Sequence, residues 1–186
     1  MDTTKPPGPT RKVLIGSAVV LTAVLVGAAY FLGDFSSGTV DGPSPVASTF
    51  QPLLERCDGE PANEPHEGGG VRTSCVSRAV PAFVFYAVAK DDALREAAIM
   101  VSLDGPEEAL EARKLVGLEL FSLAADAEAA SFLPPEQLQQ IGIANTRFVR
   151  DGMVYVTESV GEVGLVFSAA TEQAWADRVD RVDRVD

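Results

Sequence analysis

The side chains able to do chemistry are few, and their spacing limits what they can do. His66 is the only histidine in the chain. Every Ser-His-Asp or Cys-His arrangement must therefore run through it. It lies between Pro65 and Glu67 in "DGEPANEPHEGGGVRTS", a segment rich in Pro, Gly and acid. A general base needs a fixed position and a third group to orient it. Such a segment supplies neither, so His66 reads as a solvated loop residue. Glu60, Glu64, His66 and Glu67 form at most a weak metal-catching set. No His-Glu-x-x-His, EF-hand, P-loop or Gly-x-Ser-x-Gly pattern occurs. The sequence therefore names no catalytic, cofactor-binding or metal-ligating residue.

Paired carboxylates are the other candidates, because glycoside hydrolysis needs only two. Glu107 and Glu108 open a helix, where acids complement the dipole. Asp91 and Asp92 fall in a turn, and Glu158 and Glu162 flank a hairpin turn. Each pair has a structural explanation. Carbohydrate clefts also use aromatic platforms, and the one Trp, Trp175, reads as an anchor for the last helix. A hydrolase is the weakest of the functions considered.

Cys57 and Cys75 are the only cysteines. Both follow a long apolar segment that leads the chain out of the cytoplasm, and an even count in an oxidising compartment reads as one disulfide. The bridge is worth about 3 kcal/mol in the chain-entropy account. It staples an acidic loop that has too little apolar content to order itself by packing. The spacing is not Cys-x-x-Cys, which argues against a metal site.

The elements that position these residues begin with that apolar segment, "VLIGSAVVLTAVLVGAAYFL", residues 13–32, which carries no charge. At about 1.5 Å of helical rise per residue it spans the roughly 30 Å hydrocarbon core, whereas signal-peptide cores run about 7–15 residues. It reads as an uncleaved anchor. The alternative is a signal cleaved near Ala28, where Val26-Gly27-Ala28 roughly fits a small-x-small site. Lys5, Arg11 and Lys12 precede the span, and the next basic residue is Arg56. The positive-inside rule then leaves the N-terminus in the cytoplasm and exports the rest.

Five regions follow from this reading. Residues 1–12 are a Pro-rich cytoplasmic tail, 13–32 a transmembrane helix and 33–45 a Gly/Ser/Pro linker. Residues 46–177 are an exported domain and 178–186 a charged repeat tail, "RVDRVDRVD". In that tail Asp177 with Arg181, and Asp180 with Arg184, have the spacing of helical ion pairs. The domain reads as a short helix, three strands, a long helix, a short helix, three strands and a helix. Asp104 and Glu107 fit a capping box at the head of the long helix. Ala109, Ala112, Val116, Leu120 and Leu123 set its buried stripe, widened by Leu115, Leu118 and Phe121. Asp151-Gly152 between alternating apolar runs marks a hairpin. Thr171 is a cap for the last helix. The two strand–turn–strand–helix runs echo each other. The expected class is α+β: one two-layer domain, mostly antiparallel sheet of about six strands, with helices on one face.

The element order is similar to that of the small chaperones of type III secretion. That likeness covers order alone and carries no motif; those chaperones are cytoplasmic, whereas this chain has an apolar span. The Arg-, Ala- and Val-rich, Lys-poor composition points to a bacterial genome of high GC content.

Past residue 32 the chain has 12 basic and 26 acidic residues, a formal −14. That field opposes phosphate backbones and anionic lipid surfaces, so nucleic acid is not an expected partner. The expectation is a non-enzymatic, single-pass protein of the inner or plasma membrane, with no cofactor. Its exported domain binds an unknown protein, favouring a basic one, or assists an envelope assembly. The alternative is a sensor or carrier of a small molecule or envelope component, with a cavity beneath the Leu115–Phe121 helix. The assembly role instead calls for an exposed apolar patch or sheet edge.

Overall fold

A computed structural model describes residues 48–103, 110–126, 133, 139–141, 145–161 and 164–182, with side chains up to residue 179. In chain order its elements are α1 (Gln51–Leu54), β1 (Ala62–Pro65), β2 (Val71–Ser77), β3 (Phe83–Lys90) and β4 (Ala93–Ser102). Then come α2 (Leu110–Ala125), β5 (Thr146–Arg150), β6 (Met153–Val160), β7 (Gly164–Thr171) and α3 (Glu172–Val182). The anchor stretch 13–32, the linker and the capping box at Asp104 and Glu107 lie outside the described residues. So do most of the short helix expected before β5 and the side chains of Asp180, Arg181 and Arg184. Among the described residues no helix is long and apolar enough to cross a membrane.

The strands form one sheet in the order β1-β2-β3-β4-β7-β6-β5. Every paired neighbour is antiparallel. The α+β class therefore holds, with seven strands rather than six. The two meanders, β2-β3-β4 and β5-β6-β7, meet where β4 pairs with β7, Ile99 opposite Phe167. Tight turns set two of the registers. Asp91 and Asp92 turn β3 into β4 with φ of 52° and 61°, and Asp151 and Gly152 turn β5 into β6 with φ of 52° and 77°. Positive φ at both central residues is the hairpin turn that matches strand twist, and Asp and Gly tolerate it best.

The seventh strand is β1, inside the disulfide loop. The loop is thus not left to solvent. Its backbone pairs with β2, Asn63 opposite Thr73, and the Thr73 hydroxyl donates to Asn63 Oδ1 at 2.7 Å. Backbone hydrogen bonds need no apolar side chains, which is why composition alone misjudges this segment. The Cys57–Cys75 disulfide closes the loop from the end of α1 to β2.

One face of the sheet carries Phe83, Phe85, Ala87, Ile99, Val101, Leu165, Phe167 and Tyr155, all in the core. Two helical pieces cover it. α1 covers the β2–β3 side, with Phe50 against Phe85 at 5.3 Å between ring centres. α2 lies over β4 and β7, where Phe121 meets Phe148, Tyr155 and Phe167 at 6.0, 5.2 and 5.6 Å. Arg56 joins α1 to α2 through Glu119 at 2.8 Å. The buried residues of α2 are Arg113, Val116, Gly117, Leu118, Leu120 and Phe121. Ala112 is exposed and Leu115 is 63% exposed, so the stripe is rotated from the expected one. Gly117 explains the rotation. It lies against the Phe167 ring, and a Cβ there would overlap it, so the helix comes closest to the sheet along this line.

The last helix corrects the expectation of helices on one face. α3 lies across the opposite face, which carries Val84, Tyr86, Val88, Glu96, Ala98, Val156 and Ser168. Thr171 caps it as expected, accepting from the Ala174 N–H at 3.2 Å. The strands themselves required the second cover. β3 and β7 are buried at nearly every position because their sequences, FVFYAVA and GLVFSAA, are apolar on both faces.

Candidate functional site

Among the described residues, a dense cluster of polar side chains on this second face sits where α3 and the disulfide loop meet the sheet. Glu96 on β4 points into it with its side chain 9% exposed. Arg178 of α3 brings Nη2 to 3.6 Å from Glu96 Oε2 and to 2.7 Å from the Tyr86 hydroxyl, which accepts a hydrogen bond. His66 enters from the loop, its Nε2 3.9 Å from Glu96 Oε1. The Gly68 N–H donates to His66 Nδ1 at 3.1 Å, which sets the ring's orientation. Arg72 of β2 lies over the Tyr86 ring at 5.1 Å.

A β-bulge supplies the next contact. Val88 faces Glu96 while Ala89 faces Leu94, so Arg95 is the extra residue. Its guanidinium donates to Gly68 O at 2.9 Å and to Asp177 Oδ2 at 2.8 Å. One arginine thus ties the loop to α3. On the other side Trp175 lies between Arg147 of β5, at 5.2 Å, and Arg178, at 5.8 Å. Arg147, Trp175, Arg178, Tyr86 and Arg72 alternate cation and ring across the sheet.

The arrangement is a clasp. Burial raises the pKa of Tyr86 above its ordinary 10.0 and outweighs the lowering pull of Arg178, so the phenol stays neutral. The Glu96 carboxylate sits between two cationic or potentially cationic groups, Arg178 and His66. His66 is not the solvated residue expected: its side chain is 10% exposed. Glu60 and Glu67 stay exposed. Among the described residues no three His, Cys, Asp or Glu side chains gather as metal ligands. Of the residues singled out from sequence, only His66, Trp175 and Asp177 come together here. Tyr86, Glu96, Arg95, Arg178 and Arg147 were missed. The available signal was Arg95-Glu96, a charged pair inside an otherwise apolar strand, opposite a strand carrying a lone Tyr.

The two edges of the sheet differ. On β1, His66 N–H donates to Gly70 O at 3.0 Å, which makes that pair hydrogen-bonded. Alternation then aims the backbone groups of residues 61, 63 and 65 away from β2. Residues 61 and 65 are prolines, so two of those three positions have no donor. On β5, the two-residue turn makes Arg150 and Met153 a hydrogen-bonded pair, and the groups of Arg147 and Val149 point outward. Both keep their N–H. Val149 is 52% exposed, and Arg147 and Arg150 are exposed.

Comparison with protein-family models, with curated proteins and with solved structures finds no match.

Proposed function

We propose that the protein is a single-pass membrane-anchored, exported domain that binds another protein and does no chemistry of its own. The observation that carries the reading is the contrast between its sheet edges. One loses two of its three outward donors to Pro61 and Pro65, and the other presents Arg147 and Val149 outward. Edges invite strand pairing, and proteins ordinarily blunt them. The disulfide supports export, because such bridges persist in oxidising compartments. The polar cluster supports a non-catalytic role, since its charged groups hold α3 and the loop in place. The carrier alternative needs room beneath α2. There Phe167 lies against Gly117, and Phe121 packs on three rings.

The test is photo-crosslinking of the full chain in its membrane, with a photoreactive residue placed in turn at Val149, Val76, Val80, Leu115 and Val179, all exposed. One discrete partner band from one region is the expected result. No partner band from any of the five positions overturns the reading and leaves the carrier as the leading alternative.

A further inference from the structure

We infer that the outer edge of β5 docks an extended segment of a partner protein, one that sets an acidic residue opposite Arg147 and an apolar residue opposite Val149. The inference rests on the partner-binding reading above and names the surface that serves it.

Three observations converge on this edge. First, β5 ends the sheet among the described residues, and its register aims the N–H and C=O of Arg147 and Val149 outward. An added strand pairs with those groups. Second, the side chains beside them suit a particular strand. Arg147 and Val149 share one face, and Arg150 is on the other. Arg147 is steadied by Trp175 at 5.2 Å, and Arg150 by Asp151 at 3.4 Å. Third, the charge is local and opposite to that of the domain. Two of the five β5 residues are arginines, in an exported region of formal −14.

The arginines also decide against the obvious competitor. A second copy pairing β5 to β5 about Phe148 would gather four arginines along one seam. In that register Arg147 faces Val149 of the second copy and Arg150 faces Thr146, so the four cations lie diagonal to one another with no acid opposite any of them, and such pairing is disfavoured. A cationic edge therefore repels its own copy and basic strands while accepting an acidic one. The domain's overall negative field acts on approach and is screened beyond about 8 Å at physiological salt, so the contact itself answers to the local cations.

The probe is a capped pentapeptide, Glu-Thr-Val-Thr-Glu, which presents the acid–apolar pattern in either strand direction. Its counterpart has Lys at both ends. The readout is amide hydrogen exchange in the full-length, disulfide-closed chain. With the acidic peptide, exchange at Arg147 and Val149 slows about tenfold or more, while the Lys peptide leaves it unchanged. Val149→Pro removes one outward donor and abolishes the slowing. Arg147→Glu keeps the edge backbone and reverses the preference toward the Lys peptide. No slowing at about millimolar acidic peptide, or equal slowing with both peptides, overturns the inference. Protection that grows with protein concentration and needs no peptide also overturns it, and identifies a second copy as the occupant. A crosslinked partner on another surface, with Arg147 and Val149 unprotected, overturns the edge but leaves partner binding standing. No crosslinked partner anywhere overturns partner binding itself.

Discussion

Tyr86 lies beneath α3 with Arg178 donating to its oxygen, and burial raises its pKa. A tyrosine with a raised folded-state pKa holds its proton more tightly in the native state. Its contribution to stability is whole below about pH 10 and falls as pH rises past that value. Burial shifts Tyr155 in the same direction, so two groups weaken the fold in alkali. Tyr86→Phe should cost about 1 kcal/mol at pH 7 through the lost hydrogen bond. It should also lessen the fall in stability between about pH 9 and 11. Urea midpoints of both proteins across that range decide it, and an unchanged alkaline fall would remove Tyr86 as a cause. Glu96 supplies the second residue-scale expectation. Glu96→Gln keeps the shape but leaves Arg178 and His66 facing a neutral amide. We expect a loss of about 1–3 kcal/mol, discounted because Arg178 is a third exposed. A loss below about 0.5 kcal/mol would place Glu96 outside the clasp's energetics.

At the scale of elements, α2 is held by a close approach. Gly117 faces the Phe167 ring with no space for a methyl group. Alanine ordinarily favours a helix over glycine by about 1 kcal/mol. Here the sign should reverse, because overpacking costs about 1–3 kcal/mol. Thermal unfolding of Gly117→Ala reads the sign directly, and a raised midpoint would mean that α2 can lift from the sheet at no cost. The stripe of α2 was only half legible. Val116 and Leu120 were expected inside and are. Leu115 was expected inside and is outside, since apolar spacing alone does not reveal which side of a broad apolar arc meets the sheet. The turns were fully legible: Asp151-Gly152 needs positive φ, and few other dipeptides accept it.

For the whole molecule, the expectation concerns place. If residues 13–32 are an uncleaved anchor, the chain recovered from membranes has its full-length mass. That mass is lowered by about 2 Da for the two hydrogens lost at the Cys57–Cys75 bridge. A mass that begins near Ala29, or recovery in the soluble fraction alone, would make the segment a discarded signal. The bridge, α1 and β1 belong to one end of the sheet, and α3 and β5 to the other. The clasp reaches between these ends, since Arg95 holds Gly68 O on one side and Asp177 on the other.

Local chemistry by itself determined much of this protein. The disulfide pair, the two meanders, the tight hairpin and the cap at Thr171 rest on residues near one another in sequence, and such signals survive without a fold. The α+β class followed from the order of those pieces. Tertiary structure alone decided what sequence distance conceals. It joined the meanders through β4 and β7, set the one histidine, largely covered, beside Glu96, and sent α3 to the second face. Glu96 and Arg178 are 82 residues apart, and only a shared sheet face brings them within 3.6 Å. The edges were decided the same way. Pro65 and Val149 look unrelated in sequence, yet strand order makes each a rim of one sheet, and register decides which rim keeps its donors.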